Sequence, residues 1–257
     1  MMAEAQTETA AKSTEPVTIT VQNLSSVLTD GEAQAITAAL NVQATRDYNG
    51  SPWANGGHAQ PAGKVEFVAK DAPVPDGTWH IELLDTSTQE GALGFHEDEP
   101  FKQGTPSGRL EKASENSQRG RRKGAPELPL AKIFCKTTQE ATEQPSEVAS
   151  HEMLEMLVDP QVVPKPKTKT DEETQRIYPL EVCDPVQQSG SEIEGVLVSN
   201  FVLPAYFKLP QASNPTQYDW YKVLSSPVPA MTPGGYLSFA PVSQPNNWQQ
   251  EFGSPSE

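Results

Sequence analysis

Apolar residues in this chain gather in a few short runs, and the spacing within each run predicts its element. VTITVQ, from Val17 to Gln22, alternates apolar and polar side chains as a strand does. Thr29 or Asp30 then caps a helix through GEAQAITAALNVQATRDY, with Ala33, Ile36, Leu40 and Gln43 along one side. Residues 50–63 are turn-rich and end that pattern. KVEFVA (Lys64 to Ala69) and WHIELLD (Trp79 to Asp85) read as two further strands, separated by the turn segment VPDG. GALGFH (Gly91 to His96) starts another extended piece, and LAKIFCKT (Leu130 to Thr137) reads as a strand with Ile133 and Cys135 on one face.

A second helix is predicted from Ser146 to Asp159, in SEVASHEMLEMLVDP, with Ser146 as N-cap and Pro160 forcing the stop. Val148, Leu154, Leu157 and Val158 supply its buried side. The remainder is punctuated by proline: a Lys/Pro loop over 161–176, a short strand at GVLVSNF (Gly195 to Phe201), a PAYF turn, and GGYLSF near the end. A strand, a helix, several strands and then a second helix predict an α+β fold, a mixed sheet with helices packed on one face, carrying long irregular loops. The expected organisation is a tail over 1–16, a single domain over 17–240, and a C-terminal tail over 241–257.

Composition sharpens this picture. With 24 prolines, 17 glycines and 35% hydrophobic residues, the core is modest for 257 residues and the connections are long. The net charge of −15 argues against nucleic acid as the main partner, because phosphate binding needs a basic surface. One segment runs against that charge. Between Gly104 and Gly124, Arg109, Lys112, Arg119, Arg121, Arg122 and Lys123 face only Glu111 and Glu115, with no apolar period, which reads as a charged surface insert and the first choice for a partner contact. The first 16 residues lack the apolar stretch of an export signal, and no run approaches the ~18 apolar residues of a membrane span, so a cytoplasmic or assembly-associated protein with no membrane partner is expected. Cys135 and Cys183 are then expected as free thiols.

The chemistry concentrates on the second helix. His151 and Glu155 are four residues apart, hence one above the other on one helix face, and Glu152 adjoins them. In the HExxH arrangement two histidines hold Zn²⁺ while the glutamate works on a water that the ion makes acidic. Here the pattern is HExxE. Carboxylate oxygen serves zinc, and a carboxylate-rich set also suits Mn²⁺, Mg²⁺ or Ca²⁺. Asp159 lies about 80° further round the helix, and the proline after it turns it out of helical geometry, so it can face back towards an ion. Glu181 and Asp184, in EVCDP, offer a third ligand or a hydrogen bond to a ligand, as does His96. His58 and His80 belong to no such constellation, and Cys183 reads as a small buried side chain.

The series GALGFH, AKIFCKT, SHEMLEMLVDP, EVCDPVQ, GVLVSNFVLPAYF and PGGY resembles a group of bacterial and tailed-phage proteins with a zincin-like, metallopeptidase-related core. The resemblance runs from about Val17 to Phe239 and is most specific in SHEMLEMLVDP and EVCDPVQ. It implies a zincin-like mixed sheet, with His151, Glu152, Glu155 and Asp159 at the HExxE and DP positions and Glu181 and Asp184 at the later acidic motif. The chain departs from metzincins in having no second histidine at the HExxH position, no glycine at Leu157 and no third histidine downstream. Two functions are therefore expected in competition. One is a metal-dependent peptidase with His151, Glu155 and Asp159 on the metal, Zn²⁺ first, and Glu152 as base, acting on protein or peptide. The other is a structural or accessory protein, such as a virion component within a larger assembly, that keeps the fold and the ion. Catalysis requires Glu152 to be free to act and a cleft beside the helix.

Overall fold

The computed structural model describes residues 15–58, 60–87, 92–97, 128–160, 167–211 and 213–254. The basic insert at 104–124, the first 14 residues of the expected N-terminal tail and the first part of the Lys/Pro loop, 161–166, lie outside them.

The described chain is a mixed α/β structure with several sheets and few helices. Its main sheet has five strands: β1 (Val17–Asn23), β2 (Gly63–Val68), β3 (Trp79–Leu84), β4 (Gly94–Glu97) and β5 (Leu130–Phe134), in the order β2-β1-β3-β5-β4. The first four in that order run parallel, and β4 pairs antiparallel with β5 at the edge. Central parallel strands are buried on both faces, so the polar side chains of β1 need partners. Thr20 Oγ1 lies 2.8 Å from His80 Nδ1, and Gln22 Nε2 donates to the carbonyls of Ala69, Lys70 and Ala72.

Helix α1 (Asp30–Val42) carries the crossover from β1 to β2. Thr29 caps it in a full capping box: its hydroxyl accepts from Glu32 N–H while the Glu32 carboxylate accepts from Thr29 N–H. The expected helix does reach Tyr48, but its last stretch, Gln43–Tyr48, widens into a π-helix. Such a register change re-aims side chains, and here Gln43 is buried against the second long helix. Helix α2 (Pro52–Asn55) follows, placing Trp53 in the core with its indole N–H on the Val202 carbonyl at 2.7 Å.

Two expectations change after β5. The strand read through Thr137 stops at Phe134, and Cys135–Glu140 forms helix α3, where Thr138 Oγ1 donates back to Phe134 O. Helix α4 is Pro145–Val158, one residue earlier than predicted: Ser146 lies inside its first turn, and Gln144 is the N-cap with no side-chain bond. Proline fits there because its missing N–H would have had no helical partner. Residues of α4 are buried almost all round, from Ala149 and Ser150 to Met156 and Val158, because the helix lies along β4 and β5 and also touches α1.

The second half of the expected Lys/Pro loop is a hairpin, β6 (Thr168–Asp171) with β7 (Arg176–Pro179). The expected C-terminal tail likewise contains β11 (Gln249–Phe252), antiparallel to β10 (Tyr236–Pro241), which itself pairs with β7. These strands form a four-stranded antiparallel sheet, β11-β10-β7-β6. A small hairpin, β8 (Ser191–Ile193) with β9 (Val196–Val198), packs on α4 through β9. Among the described residues no helix is long and apolar enough to cross a membrane.

Candidate metal centre

Helix α4 places His151, Glu152 and Glu155 along the side that faces β4 and the turn at 183–186. Buried polar bonds fix its position: Ser150 Oγ donates to Gln43 Oε1 at 2.6 Å and accepts from Ser199 N–H at 2.8 Å, while Gln43 Nε2 donates to Ser199 O at 2.7 Å. Gly94 allows the close approach of β4. A Cβ at that position would stand 2.6 Å from Val148 Cγ1 and 3.3 Å from Glu152 Cγ.

His151 Nε2 lies 3.2 Å from Glu155 Oε1 and 3.1 Å from Asp184 Oδ1. A ring nitrogen carries one proton or one lone pair in its plane, so two carboxylate oxygens at this range outnumber what it satisfies alone. Cys183 closes the group: its N–H donates to Glu155 Oε1 at 3.1 Å, and its thiol, His151 and Glu155 each offer a donor atom within 4.8 Å of the others. Both cysteines are free and buried. Beside this set is a second one. His96, Glu155 and Glu181 also offer one donor atom each within 4.8 Å of one another.

His96 Nδ1 stands 3.0 Å from Glu152 Oε2, a bond between the edge strand and the helix. Glu152 is therefore paired, yet it still lines a pocket of about 270 Å³ together with His151, Gly94, Val148, Ser199 and Tyr236. A cleft thus runs beside the helix.

Four carboxyl groups, Glu152, Glu155, Glu181 and Asp184, share this region with two imidazoles. Burial pushes Glu181 well above the ordinary carboxylate range, and the neighbouring Glu155 and Asp184 charges push it further. Burial and then Glu155 raise Asp184 to about 6, against the His151 hydrogen bond. Burial, the largest single influence, would raise Glu155 too, but the charge and hydrogen bond of His151, the His96 charge and the Glu181 hydrogen bond together outweigh it and hold this carboxyl at about 2. Burial opposes the charged form of His151, yet Glu155 and Asp184 raise it well above the usual imidazole range. Carboxyls that must take up protons when buried together are groups whose charge a divalent cation would compensate. Soft thiol, imidazole and carboxylate donors fit Zn²⁺; the carboxylates alone fit harder ions.

The structure brings together His151, Glu152, Glu155, Glu181, Asp184 and His96. It does not bring Asp159 into either donor group. Asp159 ends α4 with φ −129° and ψ 78°, and its Oδ2 accepts the Lys167 N–H at 2.5 Å, so the carboxylate fastens the returning chain. Cys183, read as a small buried side chain, has its thiol among the candidate donors. No sequence pattern points to Tyr236: β10 carries it to the pocket, where its phenol faces Asp184. PGGY marked the segment without indicating that role. His58 bonds Pro210 O at 2.8 Å and His80 sits in the main sheet, both apart from the site. Family models, curated protein sequences and solved structures were all compared with this chain, and none matches it.

Proposed function

We propose that this chain is a zincin-like metal-binding protein that acts as a metal-dependent peptidase. The observation that carries the reading is the position of His151 Nε2, between Glu155 Oε1 at 3.2 Å and Asp184 Oδ1 at 3.1 Å, on the wall of a pocket that Glu152 also lines. His151 and Glu155 would hold the ion, with Asp184 or Cys183 as the further ligand. A divalent ion there, Zn²⁺ first and Mn²⁺, Mg²⁺ or Ca²⁺ after it, supplies a Lewis acid that polarises a carbonyl and acidifies a water.

The remaining roles fall to the protein. Glu152 accepts a proton from water, and His96 Nδ1 fixes the carboxylate through Oε2. Tyr236 faces Asp184 and so orients it. Strand β4 pairs only with β5 among the described residues, and Gly94 lines the pocket. An extended peptide adding to that edge would pass the site, which supports peptide as the substrate class.

The His96–Glu152 pair favours a second reading, in which the carboxylate is structural and the protein is an accessory or virion component stabilised by its ion. Metal content by elemental mass spectrometry, compared among wild type, His151→Ala and Glu155→Ala, tests the binding claim: both variants are expected to lose at least one equivalent of ion relative to wild type. A peptidase screen of wild type against Glu152→Gln separates the readings. Loss of hydrolysis with retention of metal supports the enzyme; no hydrolysis by metal-loaded wild type supports the accessory role.

A further inference from the structure

The first donor group leaves two buried atoms unexplained. His96 Nε2 and Glu181 Oε2 are both buried and have no hydrogen-bond partner, whereas the great majority of buried polar atoms find one. Both residues belong to the group that shares Glu155, with one donor atom from each within 4.8 Å. The other nitrogen of His96 is already used: Nδ1 stands 3.0 Å from Glu152 Oε2, and the side chain is only 6% exposed. In its neutral form with the proton on Nδ1 and directed to Glu152, the imidazole would present a lone pair at Nε2 to a cation. A carboxylate on one ring nitrogen, orienting the other towards a cation, is the usual support of a metal-bound histidine.

We infer that His96, Glu155 and Glu181 form a second cation position beside the one at His151, with the Glu155 carboxylate bridging the two. Glu155 Oε1 faces His151 and the Cys183 N–H, and the Glu155 carboxyl is also hydrogen-bonded to the Glu181 side chain, a shared proton that the second ion would replace. One imidazole nitrogen and two carboxylate oxygens suit Zn²⁺ or Mn²⁺, and a shared carboxylate is compatible with the ~3.5–4 Å spacing of paired metals in hydrolytic sites. Glu152 acquires a positioning role towards this ion through His96. The bridging arrangement rests on the proposed ion at His151; the second position by itself does not.

The test is saturation of the full chain with Mn²⁺ by equilibrium dialysis, with bound metal counted by elemental mass spectrometry. Near-ultraviolet circular dichroism confirms that each variant is folded. Wild type should bind two ions, and His96→Ala, Glu181→Gln and His151→Ala one each. The Glu181→Gln change keeps the shape of the side chain, so it removes a ligand charge with least risk to folding. A spin-coupled Mn²⁺ pair in the electron paramagnetic resonance spectrum should also collapse to an isolated-ion signal in Glu181→Gln. One ion in wild type, lost in His151→Ala and kept in His96→Ala and Glu181→Gln, would overturn the second position while leaving the first. One ion lost in His96→Ala and Glu181→Gln but kept in His151→Ala would support the second position and refute the first. No ion, or two ions retained in both His96→Ala and Glu181→Gln, would overturn this inference.

Discussion

His80 gives the fold a defined sensitivity to acid. It lies fully buried in the central strand β3, with Nδ1 2.8 Å from Thr20 Oγ1 and Nε2 4.0 Å from the buried Glu82. Burial dominates and lowers its pKa to about 4, so the folded protein holds a neutral imidazole at pH 7. In the unfolded chain the same group titrates near 6.5. The folded value is the lower one, so the stabilising contribution is complete above pH 6.5 and is lost as pH falls towards 4, where only the unfolded chain binds the proton. The gap between about 4 and 6.5 corresponds to roughly 3 kcal/mol, of which about 2 kcal/mol is lost by pH 5. Urea unfolding of wild type and His80→Asn at pH 7 and pH 5 isolates the effect. The variant begins less stable, but its loss between the two pH values should be smaller than that of wild type by about 2 kcal/mol. Equal losses in the two proteins would refute the reasoning.

Other perturbations follow from named contacts. Gly94→Ala drives a methyl against Val148 Cγ1 and should cost about 1–3 kcal/mol in thermal or urea unfolding, with weaker metal binding as β4 is pushed from α4. Ser150→Ala leaves the Ser199 N–H and Gln43 Oε1 without their shared partner and should cost roughly 2–5 kcal/mol, read in the same unfolding assay. Trp53→Phe removes the indole donor to Val202 O and should cost about 1–3 kcal/mol; an unchanged midpoint would show that this bond contributes nothing net. Chelation of the metal-loaded protein should lower its melting temperature, by the equivalent of about 3 kcal/mol for each site whose free metal had been at a hundred times its dissociation constant, and His151→Ala should respond less than wild type because it lacks the ion at His151.

Local patterns were legible where local physics sets the structure. The alternation in VTITVQ, a helix cap at Thr29 or Asp30 and the four-residue spacing of His151 and Glu155 each rest on residues close in sequence, and each reappears in the fold, with the cap at Thr29. Pairing over long sequence separation was not legible. Strand β11 resembles a polar tail until it meets β10, and β6 resembles a Lys/Pro loop until it pairs with β7 and the sheet completed by β10. Neither segment carries a periodicity strong enough to announce itself. The site divides in the same way. Glu181 and Asp184 were visible as carboxylates in a turn near the helix, but nothing local revealed that Lys167 N–H would occupy Asp159, or that His96 would reach Glu152 from 56 positions away. Likewise, the Cys183 environment follows from the turn that brings its N–H onto Glu155, and Tyr236 arrives only through β10.

The most direct test of the central claim is an anomalous difference map, collected at the zinc absorption edge from crystals of the full chain grown with Zn²⁺. A peak within bonding distance of His151 Nε2 and the Glu155 carboxylate is the predicted result. A map in which zinc is absent from those atoms, while His151 keeps its hydrogen bonds to Glu155 and Asp184, would contradict the account.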